Sequence, residues 1–166
     1  MKTAWSAFLI VVSLAATAAA QQTVFVVRHA ERADTAAGAA PAMAADPALS
    51  DAGRARAESL AAALKDAKVV AIFATEFKRT QATAAPLAKA LGLQVTTISS
   101  KEPAKLIEAV KTAGGSVLVV GHSNTVPAIV KDLGVAAPIT VGDAEYDNLF
   151  VVTIGTTPSV LRLHYR

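Results

Sequence analysis

Polar and apolar positions along the chain fall into two alternating rhythms. Compact runs rich in Val, Ile and Thr recur at 23–27, 69–74, 94–98, 116–120, 148–154 and 159–165, and several of the stretches between them return apolar residues every three or four positions. The segment "SDAGRARAESLAAALKDA" opens on Ser50, a side chain suited to capping a helix, and places Ala57, Leu60, Ala61 and Leu64 on one face. Arg54, Arg56, Glu58 and Lys65 lie elsewhere, which predicts an amphipathic helix over 51–67. A second helix is expected over 77–91, with Ala84, Leu87, Ala88 and Leu91 inward and Gly92 as its stop. Pro86 inside it removes a backbone donor and predicts a kink or a late start. A third helix begins at Pro103 and runs to about Ala113, and a fourth begins near Thr125 with Pro127 in its first turn.

The last two runs, separated by "GTTP", predict an antiparallel hairpin. The alanine-rich segment 33–48, with two prolines, reads as a loop over the surface. Strands alternating with helices predict a three-layer α/β/α sandwich around a mostly parallel central sheet. Most of the runs are too apolar for a wet face, so the sheet is expected to be covered on both sides.

Ahead of the first strand stands "MKTAWSAFLIVVSLAATAAAQQ": one basic residue, an apolar run from Ala4 to about Ala15, then Ala18-Ala19-Ala20. This pattern predicts a signal peptide over 1–20, cleaved before Gln21, and one domain over 21–166. The apolar run is shorter than the roughly 20 residues that a membrane span needs. The expected location is therefore periplasmic or secreted, without stable membrane insertion after cleavage. The formal charge of +3, one unit of it from Lys2, gives no argument for a nucleic-acid partner. The chain has 0 cysteines, which excludes disulfides, a thiolate nucleophile and any thiolate metal site.

The chemistry gathers where apolar runs end. "VVRHAER" puts Arg28 and His29 directly after a strand, "VLVVGHSNT" does the same for His122, and "IFATEFKRTQAT" brings Arg79 to the start of a helix. Ligand sites of open α/β sheets lie beyond the carboxyl ends of their strands, so these side chains are expected to converge. Guanidinium forks beside helix N-termini suit a dianionic group, and a neutral imidazole nitrogen is a competent nucleophile toward phosphorus. Paired histidines also serve metals, but here cations surround them and the third histidine, His164, lies in the last strand, so no metal ligands are assigned.

These residues resemble the histidine phosphatase superfamily, also called phosphoglycerate mutase-like, over nearly all of 21–166. The resemblance rests on four motifs in order: "RHAER", "LSDAGRARAESLA", "FKRTQAT" and "VVGHSNT". It implies that His29 becomes a phosphohistidine, that Arg28, Arg79 and His122 hold the phosphoryl group, and that Arg32 is a further phosphate-binding arginine. It also implies metal-independent hydrolysis of phosphomonoesters without an organic cofactor. For the proton donor it points to Glu102, some two dozen residues after the second arginine, with Glu31 as the alternative and Asp147 and Glu76 behind them. The expected partner is a phosphorylated small molecule or an exposed phosphoryl group on a larger one. A phosphomutase of the same superfamily and a non-catalytic phosphate-binding module are the alternative functions. Ser123, Asn124 and Thr125 either touch substrate or cap the helix that follows them, and Tyr146 and Asp147 either shape the rim or serve a turn.

Overall fold

The computed structural model describes residues 21–35 and 46–166; the expected signal segment and most of the alanine-rich loop lie outside them. Six strands form one sheet: β1 (Gln22–Arg28), β2 (Val69–Ala74), β3 (Val95–Thr97), β4 (Ser116–Gly121), β5 (Asn148–Ile154) and β6 (Ser159–His164). Their order is β3-β2-β4-β1-β5-β6. The first four in that order are parallel, and β5 and β6 add an antiparallel hairpin at one edge.

Helices cover both faces, and the period of two in the strands decides which residue meets which layer. Phe25 and Val27 of β1 pack with Leu60, Ala61 and Leu64 of α1 (Asp51–Leu64) and Ala84, Leu87 and Ala88 of α2 (Lys78–Leu91). Val24 and Val26 face the other way, onto Val110 of α3 (Pro103–Ala113) and Val126, Ile129 and Val130 of α4 (Thr125–Asp132). The sandwich expected from the alternation of elements is therefore present. Coverage stops at the hairpin, where Leu161 and Leu163 of β6 are exposed.

Helix ends follow local chemistry. Ser50 caps α1 by accepting from the Gly53 N–H at 3.0 Å. The helix closes at Leu64 rather than 67, because the chain must reverse before Val69, and it does so through Lys68 at φ 53°. Pro86 neither splits nor truncates α2, which runs on to Leu91 and ends at Gly92 in the left-handed conformation. Residues 33–35 form a short 3₁₀ turn. The far end of the expected surface loop turns inward: Pro47 and Leu49 are buried, and Leu49 bridges to Arg32.

Candidate active site

Parallel pairing places the ends of β1 and β4 side by side. Arg28 registers with Gly121, and the His29 N–H donates to the Gly121 carbonyl at 2.9 Å, so both histidines emerge at one end of the sheet. Their ring centroids are 5.3 Å apart. Gly121 has to be glycine, since a Cβ there would come within 2.8 Å of the Thr125 hydroxyl, which accepts from the His122 N–H.

α2 supplies Arg79 and also fixes its distance from the segment that follows β1. Thr83, one turn further along the helix, accepts from the Ala30 N–H at 3.0 Å and donates to the Arg79 carbonyl at 2.7 Å. A cleft of about 410 Å³ results, lined by Arg28, His29, Arg32, Arg79 and His122, with Phe77, Ser100, Ser123, Asn124, Thr125 and Asp143 at its borders. The cleft thus brings together Arg28, His29, Arg32, Arg79 and His122, the residues that the sequence singled out.

Hydrogen bonds define the proton positions on both rings. His29 Nδ1 lies 2.8 Å from the Ala30 carbonyl, which can only accept; Nδ1 therefore carries the hydrogen and Nε2 keeps its lone pair. For His122, Nε2 is 3.0 Å from the Thr75 hydroxyl, which is 2.9 Å from the Thr80 hydroxyl. Thr80 spends its own hydrogen on a backbone carbonyl, of Thr75 or Phe77, so Thr75 donates to Thr80 and accepts from His122 Nε2. Nδ1 is then the acceptor for the Arg79 guanidinium at 3.4 Å.

Burial pushes the His29 pKa down to about 3, and the charges of His122, Arg79 and Arg28 push the same way, against the bond to Ala30. Burial, then Arg79 and Arg28, push His122 down to about 4. Both imidazoles are neutral at pH 7, and a dianion placed between them would oppose both shifts.

The guanidinium groups are held and yet incompletely satisfied. Arg28 NH1 donates to the carbonyls of Gly142, Asp143 and Glu145 at 3.0, 2.9 and 3.3 Å, and its guanidinium stacks 4.1 Å from the centre of the Tyr146 ring. Glu145 secures that loop by accepting from the Gly142 N–H, Asn148 and Arg162. Arg79 stacks on Phe77 and approaches Asp46 at 3.4 Å. Among the described residues, the buried side-chain polar atoms without a hydrogen-bond partner are Arg28 Nε and Arg79 Nε. Two guanidinium groups with unfilled donors, both lining one cleft, suit an anion there. Arg32 also lines the cleft but gives two donors to Asp34, at 2.8 and 2.7 Å.

The proton-donor candidates are scattered. Glu102 stands outside the cleft, on the residue before α3, half-exposed and 3.6 Å from Lys105. Glu31 points away toward α1, where Arg56 binds both of its oxygens. Asp147 pairs with His164. Glu76 accepts from the Ser100 N–H and hydroxyl at 2.8 and 2.9 Å. Burial opposes its charge, but these donors outweigh it and hold the carboxyl below its ordinary range.

Asn124 makes no side-chain cap on α4; the Thr125 hydroxyl serves the His122 backbone instead. Sequence reasoning missed Asp46, which accepts from the Lys78 N–H at the start of α2 and meets Arg79. It also missed Thr83, whose spacing of four from Arg79 was the available signal.

Residues 24–100 match the family model described as histidine phosphatase superfamily (branch 1). No curated protein matches the chain. Among solved structures, the protein histidine phosphatase SixA complexed with tungstate is 21% identical with a TM-score of 0.64, over 86% of this chain and 97% of that one. A protein of Agrobacterium tumefaciens, assigned as a phosphohistidine phosphatase SixA, is 22% identical with a TM-score of 0.62 over the same shares. A mycobacterial glucosyl-3-phosphoglycerate phosphatase is 16% identical with a TM-score of 0.60, over 81% of this chain and 91% of that one. At these identities the likeness carries the fold.

Proposed function

We propose that the chain, whose residues 24–100 match the histidine phosphatase superfamily (branch 1) model, is a phosphomonoesterase working through a phosphohistidine on His29. The observation that carries this reading is the pair of buried, unpartnered guanidinium donors beside an imidazole whose free nitrogen is fixed as Nε2. His29 Nε2 attacks phosphorus while the bond to the ester oxygen breaks, and the leaving oxygen takes a proton. Water then attacks the phosphohistidine, releases phosphate and restores the imidazole.

The Nδ1 hydrogen, tied to the Ala30 carbonyl, keeps the ring oriented through both steps. Arg28 and Arg79 stabilise the equatorial oxygens, where charge accumulates in each transition state, and His122 contacts the same group once the dianion lifts its pKa. Glu76 is held ionised and is a poor acid. Glu102 is kept as the proton donor: it lies two residues after Ser100 at the cleft border, and its exposed pair with Lys105 costs little to break.

The substrate supplies a phosphoryl group on a small molecule or exposed on a larger one, in a periplasmic or secreted setting. Residues 21–166 should hydrolyse p-nitrophenyl phosphate, and vanadate should inhibit, because a five-coordinate oxyanion fits donors arranged for the transition state. Tight phosphate binding without turnover would leave only the non-catalytic module.

A further inference from the structure

Next to the cationic cleft lies a cavity of about 160 Å³ with the opposite character, walled by Phe73, Ile98, Leu106, Ile107, Val119 and Ala128 among others. It opens between α3 and α4 on the face of the sheet that those helices cover. The cleft and the cavity meet at Ser100, Asn124 and Thr125, which line both. α3 leaves this space because it packs loosely: Val110 is its one buried residue, while Leu106 and Ile107 stay half-buried against the apolar layer. Carbon walls without facing atoms lose dispersion contacts and offer water few partners, a combination that favours an apolar ligand.

Topology supports the same direction. From His29 at the end of β1, the sheet continues across β4 to β2, and residues at the ends of β4 and β2, Val120 and Ala74, border the cavity. An in-line displacement sends the leaving oxygen away from the nucleophile. We propose that the substrate is a phosphomonoester of an apolar alcohol, alkyl or aryl, whose hydrocarbon part lodges between α3 and α4 while the cleft holds its phosphoryl group. The inference rests on the phosphatase reading for the phosphoryl end and adds the class of leaving group. Asp132 also lines the cavity, so a tail carrying a second anion is repelled.

Alkylphosphonates test the binding without requiring turnover, since their carbon–phosphorus bond is not hydrolysed. By calorimetry on residues 21–166, affinity should rise about fourfold for each methylene buried, so that hexylphosphonate binds more than about tenfold more tightly than methylphosphonate once two of its five added methylenes are buried, and about a thousandfold if all are. Ala128→Trp, at an exposed position on the cavity wall, should fill the space and flatten the series. Ile107→Ser should weaken the gain per methylene, and it gives an independent reading if the tryptophan variant does not fold. Equal affinities across the series in the native protein would overturn the proposal. So would a chain-length gain that survives both substitutions. Failure of the phosphatase reading looks different: hexyl phosphate would bind with the same chain-length gain and not be hydrolysed.

Discussion

At the level of single side chains, the two imidazoles depart most from their behaviour in water. Both have folded pKa values below the unfolded value of about 6.5, at about 3 for His29 and about 4 for His122. As pH falls through that interval the unfolded chain takes up protons that the folded one refuses, so stability is intact above about pH 6.5 and declines toward pH 4. Urea denaturation at stepped pH should show this decline, and His122→Gln should flatten it; an unchanged slope would mean that His122 is not held neutral. Protonation of the leaving group is a residue-level question too. Glu102→Gln should slow hydrolysis of an alkyl phosphate strongly and of p-nitrophenyl phosphate little, because the nitrophenolate leaves without help. Equal effects on both esters would remove Glu102 from the role. Arg28, His29 and His122 were legible in the sequence because each stands where an apolar run ends, and Arg79 because it opens the helix after another such run; parallel pairing aligns the ends of these runs. Asp46 was not, because its contacts with Lys78 and Arg79 span 32 and 33 positions through a loop with no periodic pattern. The side-chain direction of Glu102 was also hidden: the family resemblance pointed to this residue but could not reveal its pair with Lys105.

Elements carry these residues to one another, and the fit between α1 and the segment after β1 is the tightest case. A Cβ on Gly53 would collide with the Glu31 carbonyl oxygen, a backbone atom that cannot move aside without shifting the segment that carries His29. Gly53→Ala should therefore cost about 1–3 kcal/mol in folding stability and lower kcat as well, read from thermal melts alongside initial rates. Native values for both would show that this packing does not position His29. Period and capping made most elements legible: Ser50, Gly92 and Pro103 mark boundaries through local geometry that tertiary contacts do not override. Two details were set by packing and escaped. α1 stops three residues early because the connection to β2 is short, and α2 continues through Pro86, which forfeits one intrahelical donor without breaking the helix. The loose seating of α3 was also unreadable, since its apolar spacing resembles that of any buried helix.

For the molecule as a whole, the sheet order explains why one end holds all the chemistry. β1 and β4 are neighbours with β2 beside them, so their carboxyl ends present His29, His122 and Thr75 together, while the β5–β6 hairpin closes the other edge and supplies the strand behind the loop that grips Arg28. Among the described residues, no helix is long and apolar enough to cross a membrane. The central claim is that phosphoryl transfer passes through His29, and rapid quenching tests it most directly. Native protein mixed for milliseconds with a phosphorus-labelled aryl phosphate should yield a labelled chain that loses its label in acid and keeps it in base, as a phosphohistidine does. His29→Ala should show neither label nor turnover, while retaining a native melting profile. Label that persists in His29→Ala, or turnover that continues without it, would contradict the account.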